Sequence, residues 1–324
     1  MRVPHLSPSA YRRIAFVAAC FVAVIIVSGA AVRLTNSGLG CPQWPNCDSG
    51  QLTAVSASDS HQWIESLNRL FTGAVSIAVI VAVLGSLVRI PKRMDLVWLS
   101  IGLVAGVFAQ AVLGGVSVLM DLAPPFVMAH FLLSIVLLAD AIVLVHRAGQ
   151  PDPQASRRSE PVVSHRIVVL GRWLLGLVTL VLFTGTVVTG AGPHSGGAAK
   201  DNVKRIDIPI PEAARIHGVT VMVFLVAVLA MLWFIRQDHA PKSVITKVTW
   251  LLILLVAQAG VGYTQYFTDI PAGLVIVHVA GATAVFTMTL VLYLGLFRQP
   301  ASADATGSAA GAVPDADDAL LAPT

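Results

Sequence analysis

The stretch "QAVLGGVSVLMDLAPPFVMAH", residues 110–130, decides the fold because it occurs a second time as "QAGVGYTQYFTDIPAGLVIVH", residues 258–278. Identical residues recur 148 positions apart (258 minus 110), among them Gln110 and Gln258, Ala111 and Ala259, Gly114 and Gly262, Asp121 and Asp269, His130 and His278. Upstream, "SGAAVRLTNSG" at 28–38 is similar to "TGTVVTGAGPHSG" at 184–196, with a small insertion. The sequence therefore predicts that the chain is a duplication of one unit.

The apolar composition places the chain in a membrane. Of its 324 residues, 56% are hydrophobic and only 12% are charged, whereas soluble domains carry about 25% charged residues. Runs of about 20 apolar residues are long enough to cross the hydrocarbon core as helices. We predict an all-α polytopic membrane protein with eight transmembrane helices at about 13–34, 63–88, 95–119, 125–146, 167–190, 212–235, 248–267 and 272–297.

Four helices in each unit predict two parallel repeats. An even number of crossings gives both halves the same orientation, so the pseudo-twofold axis should run along the membrane normal. We expect two side-by-side four-helix bundles, 12–147 and 165–298, which are joined by the polar loop 147–166. Residues 299–324 are rich in Ala, Pro and Asp and are predicted to form a disordered cytoplasmic tail.

The distribution of basic residues predicts the orientation. Of the 21 Lys and Arg residues, 15 flank the membrane on the side of both termini, and basic residues near short loops stay in the cytoplasm. We therefore expect a cell-membrane protein with both termini cytoplasmic and an uncleaved first helix. The net charge of +4 follows from these residues and calls for no nucleic-acid partner. The other six lie on the outer side: Arg33, Arg69, Lys200, Lys204, Arg205 and Arg215.

Three histidines lie inside predicted helices at the same depth. His130, His217 and His278 each follow by six or seven residues a proline that marks the outer start of a helix. At 1.5 Å per residue, each imidazole lies about 9–10 Å inside the helix. Ionisable residues at such depth are costly and usually functional.

His217 and His278 belong to two helices of the same bundle. Two imidazoles that face one another across a bundle are typical of axial ligation of a heme. The alternative is that each imidazole only forms a hydrogen bond to a neighbouring helix. Zinc is disfavoured because the C-terminal half offers no further His, Cys or carboxylate at this level to complete a tetrahedral site.

The N-terminal half has one histidine fewer. His130 corresponds to His278, whereas Asn68 in "SLNR" corresponds to His217 in "RIHG". The first bundle has therefore lost one of two expected ligands. This asymmetry suggests one structural or electron-relaying heme and one reactive site.

Two acidic residues, Glu65 and Asp140, lie inside the predicted spans beyond their first position. Glu65 precedes Asn68 by about one turn and Arg69 by four residues, so an ion pair on one helix face is one interpretation. The other is that Glu65 stabilises positive charge or moves a proton beside a bound substrate. Asp140 lies near the inner end of its helix among apolar residues, and we expect it to snorkel towards the interface.

The cysteines and the outer basic residues leave alternatives open. Cys20 should pack as a small apolar residue. Cys41 and Cys47 lie outside, where a structural disulfide is favoured, and a redox role is the alternative. The outer basic residues are either solvated or placed to meet the propionates of a porphyrin; they are Arg69, Lys200, Lys204, Arg205 and Arg215.

Several motifs together resemble one family. "NSGLGCPQWPNC" follows the first helix, "IESLNR" opens the second, "GPHSG" follows the fifth, and the histidines lie on the fourth, sixth and eighth. This combination resembles the heme A synthase family over residues 13–297. The resemblance implies an oxidoreductase that converts the C8 methyl group of heme O to a formyl group, which gives heme A for terminal oxidases.

The resemblance also implies roles for residues. His217 and His278 would ligate a heme b cofactor, and His130 would belong to the substrate half. Glu65 matches the acidic residue of the family's "ExxHR" motif and would be catalytic.

Asn68 stands where that motif has its histidine, and Arg69 completes it, so both are expected at the substrate heme. Cys41 and Cys47 match a cysteine pair that the family joins as a disulfide, whereas a second pair found in some members is absent.

The implied partners are heme O as substrate, heme O synthase, assembly factors of terminal oxidases and membrane lipid. The sequence leaves a homo-oligomer open, and it does not identify the electron acceptor or the source of oxygen.

An alternative function is a bis-histidine membrane cytochrome that relays electrons from quinol, although such proteins often carry stacked pairs of histidines on each helix. A transporter is disfavoured because broken helices and midplane charges are scarce.

Overall fold

The protein is described by a computed structural model. The predicted tail at 299–324 and Lys200 lie outside the described residues. The described residues are 5–41, 43–47, 50–51, 59–151, 159–194, 196–197 and 204–298.

Eight long helices form the described structure, and each is long and apolar enough to cross a membrane. The prediction of an all-α multi-pass membrane protein is thereby confirmed. The only strands in the described ranges are two-residue segments, β1 (Glu160–Pro161) and β2 (Phe297–Arg298), which pair antiparallel. The helices are α1 (Pro8–Leu34), α2 (Ser60–Val88), α3 (Met94–Leu119), α4 (Pro124–Ala148), α5 (His165–Ala191), α6 (Ile210–Gln237), α7 (Lys242–Phe267) and α8 (Ala272–Leu294).

Local sequence signals explain where the helices begin. Asp59 caps α2, because its side chain accepts hydrogen bonds from the amides of His61 and Gln62. Proline lies at the start of the helices that carry the three histidines, where its missing N–H costs nothing.

Large apolar side chains such as Trp98 and Trp173, each 66% exposed, cover the outer surface. A surface of this kind suits hydrocarbon rather than water.

The two halves pack in the same way. In the first half α1 contacts α2, α2 contacts α3, α3 contacts α4, and α4 contacts α1; α5 to α8 repeat this ring. Between the halves, α1 contacts α8, α4 contacts α5, and α4 contacts α8. If the two halves are exchanged, the contact of α1 with α8 becomes the contact of α5 with α4, and the contact of α4 with α8 is unchanged. These are the contacts that a duplicated four-helix unit would make, and the parallel arrangement of the two repeats stays a prediction.

The turns after α3 and α7 share one unusual backbone. At both turns two consecutive non-glycine residues have positive φ, which is uncommon for bulky side chains. The amide of Leu122 bonds the carbonyl of Ser117, and that of Ile270 bonds the carbonyl of Gln265, both at 2.8 Å. These matched turns place α4 and α8 equivalently in the two halves. The φ angles are 51° at Asp121, 56° at Leu122, 59° at Asp269 and 56° at Ile270.

Candidate functional site

One large cavity extends between the helices of both halves. Its volume is about 1560 Å³, which exceeds the roughly 300–1,000 Å³ of a typical small-molecule pocket. The cavity therefore has space for a ligand in each half. Its lining includes every membrane residue that the sequence marks as a candidate: Glu65, Asn68, Arg69, His130, His217 and His278.

The two histidines of the C-terminal half face one another. Their ring centroids are 6.4 Å apart, and the ring planes are inclined at 70°. The Thr184 hydroxyl lies 3.1 Å from Nδ1 of His217 and 3.0 Å from the carbonyl oxygens of Leu180 and Val181. If the hydroxyl donates to one of these carbonyls, its oxygen accepts from Nδ1–H, which leaves Nε2 of His217 free to ligate a metal.

This donor pair fits a heme iron. A metal held by two imidazoles lies about 2 Å from the nitrogen of each ring. These two bonds, together with the distance from each nitrogen to the centre of its ring, add up to a centroid separation of this size. Nδ1 of His278 is buried and has no hydrogen-bond partner within the described part of the chain. The alternative is that each imidazole only forms a hydrogen bond to a neighbouring helix. His217 has such a partner at Nδ1, whereas His278 has none at Nδ1 among the described residues.

A glycine on the neighbouring helix makes room for each imidazole. A Cβ added to any of these glycines would lie close to Cε1 of the neighbouring ring, and a side chain there would push the ring into the cavity. The distances are 3.1 Å for Gly114 and His130, 3.2 Å for Gly185 and His217, and 3.1 Å for Gly262 and His278.

Replacing Gly262 by alanine should therefore displace His278. We expect a severalfold loss of bound heme in the purified protein, measured as the ratio of heme to protein. The helix itself should not suffer, since alanine favours helix over glycine by about 1 kcal/mol. Gly260→Ala is a matched control on α7, because no atom in the described part of the chain lies within 4 Å of its added Cβ. Equal heme content in the two variants would contradict this role of Gly262.

The N-terminal half repeats the arrangement with one change. Nδ1 of His130 is buried without a hydrogen-bond partner in the described ranges, as at His278. The side-chain amide of Gln110 donates to the backbone carbonyl of His130 at 3.1 Å, and that of Gln258 donates to the carbonyl of His278 at 2.6 Å. On the opposite side, the Ser28 hydroxyl lies 2.8 Å from Oδ1 of Asn68.

Glu65 and Arg69 form the ion pair that their spacing suggests. Nη2 and Nε of Arg69 lie 2.6 and 3.1 Å from Oε1 of Glu65. Oε2 of Glu65 accepts from the amide of Cys41 at 2.8 Å, and Arg69 donates to the carbonyls of Cys41 at 3.0 Å and Pro45 at 3.1 Å. The pair thus attaches the outer loop to α2 while Glu65, 6% exposed, lines the cavity.

The predicted disulfide joins Cys41 to Cys47. Both residues are completely buried, which favours a structural role over thiol exchange because exchange requires access to a sulfur. Trp44 of this loop lines the cavity and packs on α3, since a Cβ added to Gly115 would clash with its ring. The disulfide loop therefore forms part of the outer cover of the N-terminal half.

Removing the disulfide should destabilise this cover. Replacing Cys41 and Cys47 together by serine should lower the free energy of unfolding by about 2 kcal/mol, the loop-closure term for so short a ring. Thermal unfolding in detergent measures the loss, and Cys20→Ala is the control because Cys20 is a free cysteine on α1. Unchanged stability together with lost activity would instead support the redox interpretation.

The remaining basic candidates differ in position. Arg215 lines the cavity, so it can meet an anionic edge of a ligand. Arg205 bonds the carbonyl of Pro193 at 3.2 Å in an exposed position, and neither Lys204 nor Arg205 lines the cavity in the described residues. Sequence reasoning missed Arg33, which lines the cavity from α1 and bonds the Thr189 carbonyl of the other half at 3.3 Å.

The position of Asp140 contradicts the expectation that its side chain snorkels towards the interface. A Cβ added to Gly102 would lie 2.9 Å from Oδ2 of Asp140, so this carboxylate lies between α3 and α4 rather than at the interface. Gly102 and Asp140 each lie eight positions, or about 12 Å, from the nearer end of their helices. An aspartate side chain is too short to span that distance, unlike the long chains of Lys and Arg that snorkel.

Fold and cavity together define a multi-pass α-helical membrane protein with a histidine-lined cavity that spans two four-helix halves. Residues 12–199 match a family described as COX15-CtaA, cytochrome oxidase assembly protein. This match covers more than half of the chain, and the chain belongs to the COX15-CtaA family.

Individual relatives are similar along most of the chain. The heme A synthase of Listeria welshimeri is 24% identical over 288 residues, which cover 84% of this chain and 90% of that protein. The heme A synthase of Shewanella oneidensis is 25% identical over 314 residues, covering 84% and 92%. The heme A synthase of Shouchella clausii is 22% identical over 298 residues, covering 90% and 98%.

Proposed function

We propose that this protein is a heme A synthase, which oxidises the C8 methyl group of heme O to a formyl group and so gives heme A for terminal oxidases. The observation that carries the proposal is one cavity with two unequal ends. His217 and His278 lie with their ring centroids 6.4 Å apart at one end, while Asn68 and His130 hold the equivalent positions in the cavity wall at the other end. One end suits a permanently ligated heme, and the other suits a heme that must arrive and leave.

The C-terminal half would hold heme b between His217 and His278. Thr184 orients His217, and the glycines behind both rings allow them to approach the iron. When bound, the heme supplies one-electron redox chemistry, with which it would take up electrons released by the oxidation.

The N-terminal half would hold heme O through His130, with Asn68 and Arg69 in the wall of the site. Oxidation of a methyl group through an alcohol and a hydrated aldehyde builds up positive charge and releases protons. Glu65 is the buried carboxylate of this wall and would stabilise that charge or accept a proton. A fixed carboxylate acts more strongly there than in water because the surroundings are apolar.

Arg69 and the disulfide loop would prepare Glu65 for this role. Arg69 opposes the cost of burying a charged carboxylate and fixes its orientation through two bonds to Oε1. Arg69 also bonds three carbonyls of the loop, those of Cys41, Pro45 and Asn46. The loop would in turn restrict water from the outside.

The setting of the reaction follows from the membrane fold. We infer that both termini are cytoplasmic, which would place the three histidines of the cavity in the outer part of the membrane. Heme O is a membrane-bound substrate, and a heme O synthase or assembly factors of terminal oxidases would be the partners that deliver the substrate and receive the product.

Pigment analysis tests the proposal. The chain is expressed in cells that make heme O and lack their own heme A synthase, and the extracted hemes are separated by chromatography. Heme A supports the proposal. Heme b alone would support a quinol-linked cytochrome instead, and a colourless purified protein would support a transporter.

A further inference from the structure

The two halves treat one repeat position differently. Ser28 and Thr184 are equivalent in the duplication, and each contacts one of the equivalent residues Asn68 and His217. Thr184 bonds Nδ1 of His217 at 3.1 Å, and Ser28 bonds Oδ1 of Asn68 at 2.8 Å. The helix contact is therefore kept while the imidazole is replaced by a shorter carboxamide.

The shorter side chain leaves space. The His217 ring packs against Gly185, and its Cε1 would lie 3.2 Å from a Cβ added there. No atom of the described residues lies within 4 Å of the Cβ position of the equivalent Gly29. Both Gly29 and Asn68 line the cavity. Among the described residues, the position that the His217 ring takes beside Gly185 is thus left open beside Gly29.

The amide of Asn68 has hydrogen-bonding capacity left. In the described part of the chain, the bond to Ser28 is the one hydrogen bond made by its side chain. An Asn amide carries two N–H donors besides its carbonyl oxygen. With Oδ1 bonded to Ser28, the NH₂ group is available to a small molecule in the cavity.

We propose that the heme in the N-terminal half has His130 as its only protein ligand, and that Asn68 keeps the opposite axial position open and donates a hydrogen bond to a small oxygen-containing molecule there, such as water. Ser28 is a positioning residue that turns the amide. This inference rests on the proposed function, because it assumes that a heme substrate enters this half. It defines the asymmetry of the protein as one closed and one open heme site.

Carbon monoxide is the probe, because it binds reduced heme only where an axial position is open. The full-length protein is loaded anaerobically with heme O, reduced and titrated with carbon monoxide. We expect one of its two hemes to bind. Asn68→His should close the open site and abolish binding, since Ser28 can orient an imidazole as Thr184 does and Gly29 leaves room for the ring. His217→Asn is the reciprocal variant and should open the second site.

Asn68→Leu separates the open position from the hydrogen bond. Leucine is similar in size and cannot ligate or donate, so carbon monoxide should still bind. Loss of the donor should raise the C–O stretching frequency in the infrared spectrum, because a hydrogen bond to the oxygen weakens the C–O bond. This variant keeps the test decisive even if Asn68→His fails to fold.

The outcomes are distinct from those of the pigment test. Absence of carbon monoxide binding in the unmodified protein, undiminished binding in Asn68→His, or an unchanged stretching frequency in Asn68→Leu would each overturn the inference. A chain that makes heme A and gives one of these results would refute the inference and leave the function intact. A chain with the open site that makes no heme A would refute the function alone.

Discussion

Replacing His278 by alanine is expected to remove the heme of the C-terminal half almost completely. The ring centroids of His278 and His217 lie 6.4 Å apart, and the substitution leaves a single imidazole where two would share the iron of the proposed heme. The remaining bond should not retain the heme through purification. Heme A formation should be lost as well, because the oxidation of heme O requires a route for its electrons.

The heme-to-protein ratio and the visible spectrum of the purified variant measure this effect. His165→Ala is the matched control, since His165 is exposed at the first position of α5. Adding free imidazole to His278→Ala should restore part of the heme binding, because it can occupy the space that the side chain leaves. A variant that keeps its full heme content and spectrum would exclude His278 as a ligand.

Replacing Glu65 by glutamine is expected to nearly abolish heme A formation while heme b stays bound. The substitution removes the buried carboxylate of the proposed substrate site and takes away the charge that pairs with Arg69. Breaking a buried ion pair by removing one partner costs about 3 kcal/mol or more. Arg69 is 24% exposed at its side chain, so the cost should lie near the low end of that range.

A second variant separates catalysis from stability. Replacing Glu65 by leucine and Arg69 by methionine removes both charges, and replacing a buried pair by apolar residues of similar size is often neutral for stability. We expect thermal stability to recover in this double variant and heme A formation to stay lost. If Glu65→Gln formed undiminished heme A, the proposed role of Glu65 in charge stabilisation would be excluded.

Much of the fold could be predicted because its signals are local. Each span is a run of apolar residues with a proline or a capping residue at its start, and hydropathy over about 20 residues is set by the chain itself. The depth of His130, His217 and His278 also follows from counting along one helix. The disulfide partners lie six residues apart in one loop, so their proximity needs no tertiary information.

Contacts between helices could not be predicted in the same way. Successive residues on a helix point about 100° apart, so the partner of a side chain depends on how two helices are rotated and how closely they approach. The sequence places Asp140 in a helix and does not show that it packs on Gly102. It likewise gives no sign that Arg33 reaches the other half.

The sequence by itself determined a membrane protein with eight spans, an internal repeat and a histidine missing at Asn68. Only the tertiary structure decided that one cavity connects both halves, that Ser28 holds Asn68, and that Glu65 and Arg69 bind the disulfide loop. The physical reason is that hydropathy and spacing act along the chain, whereas a site is formed by side chains from different helices, and only packing brings those together.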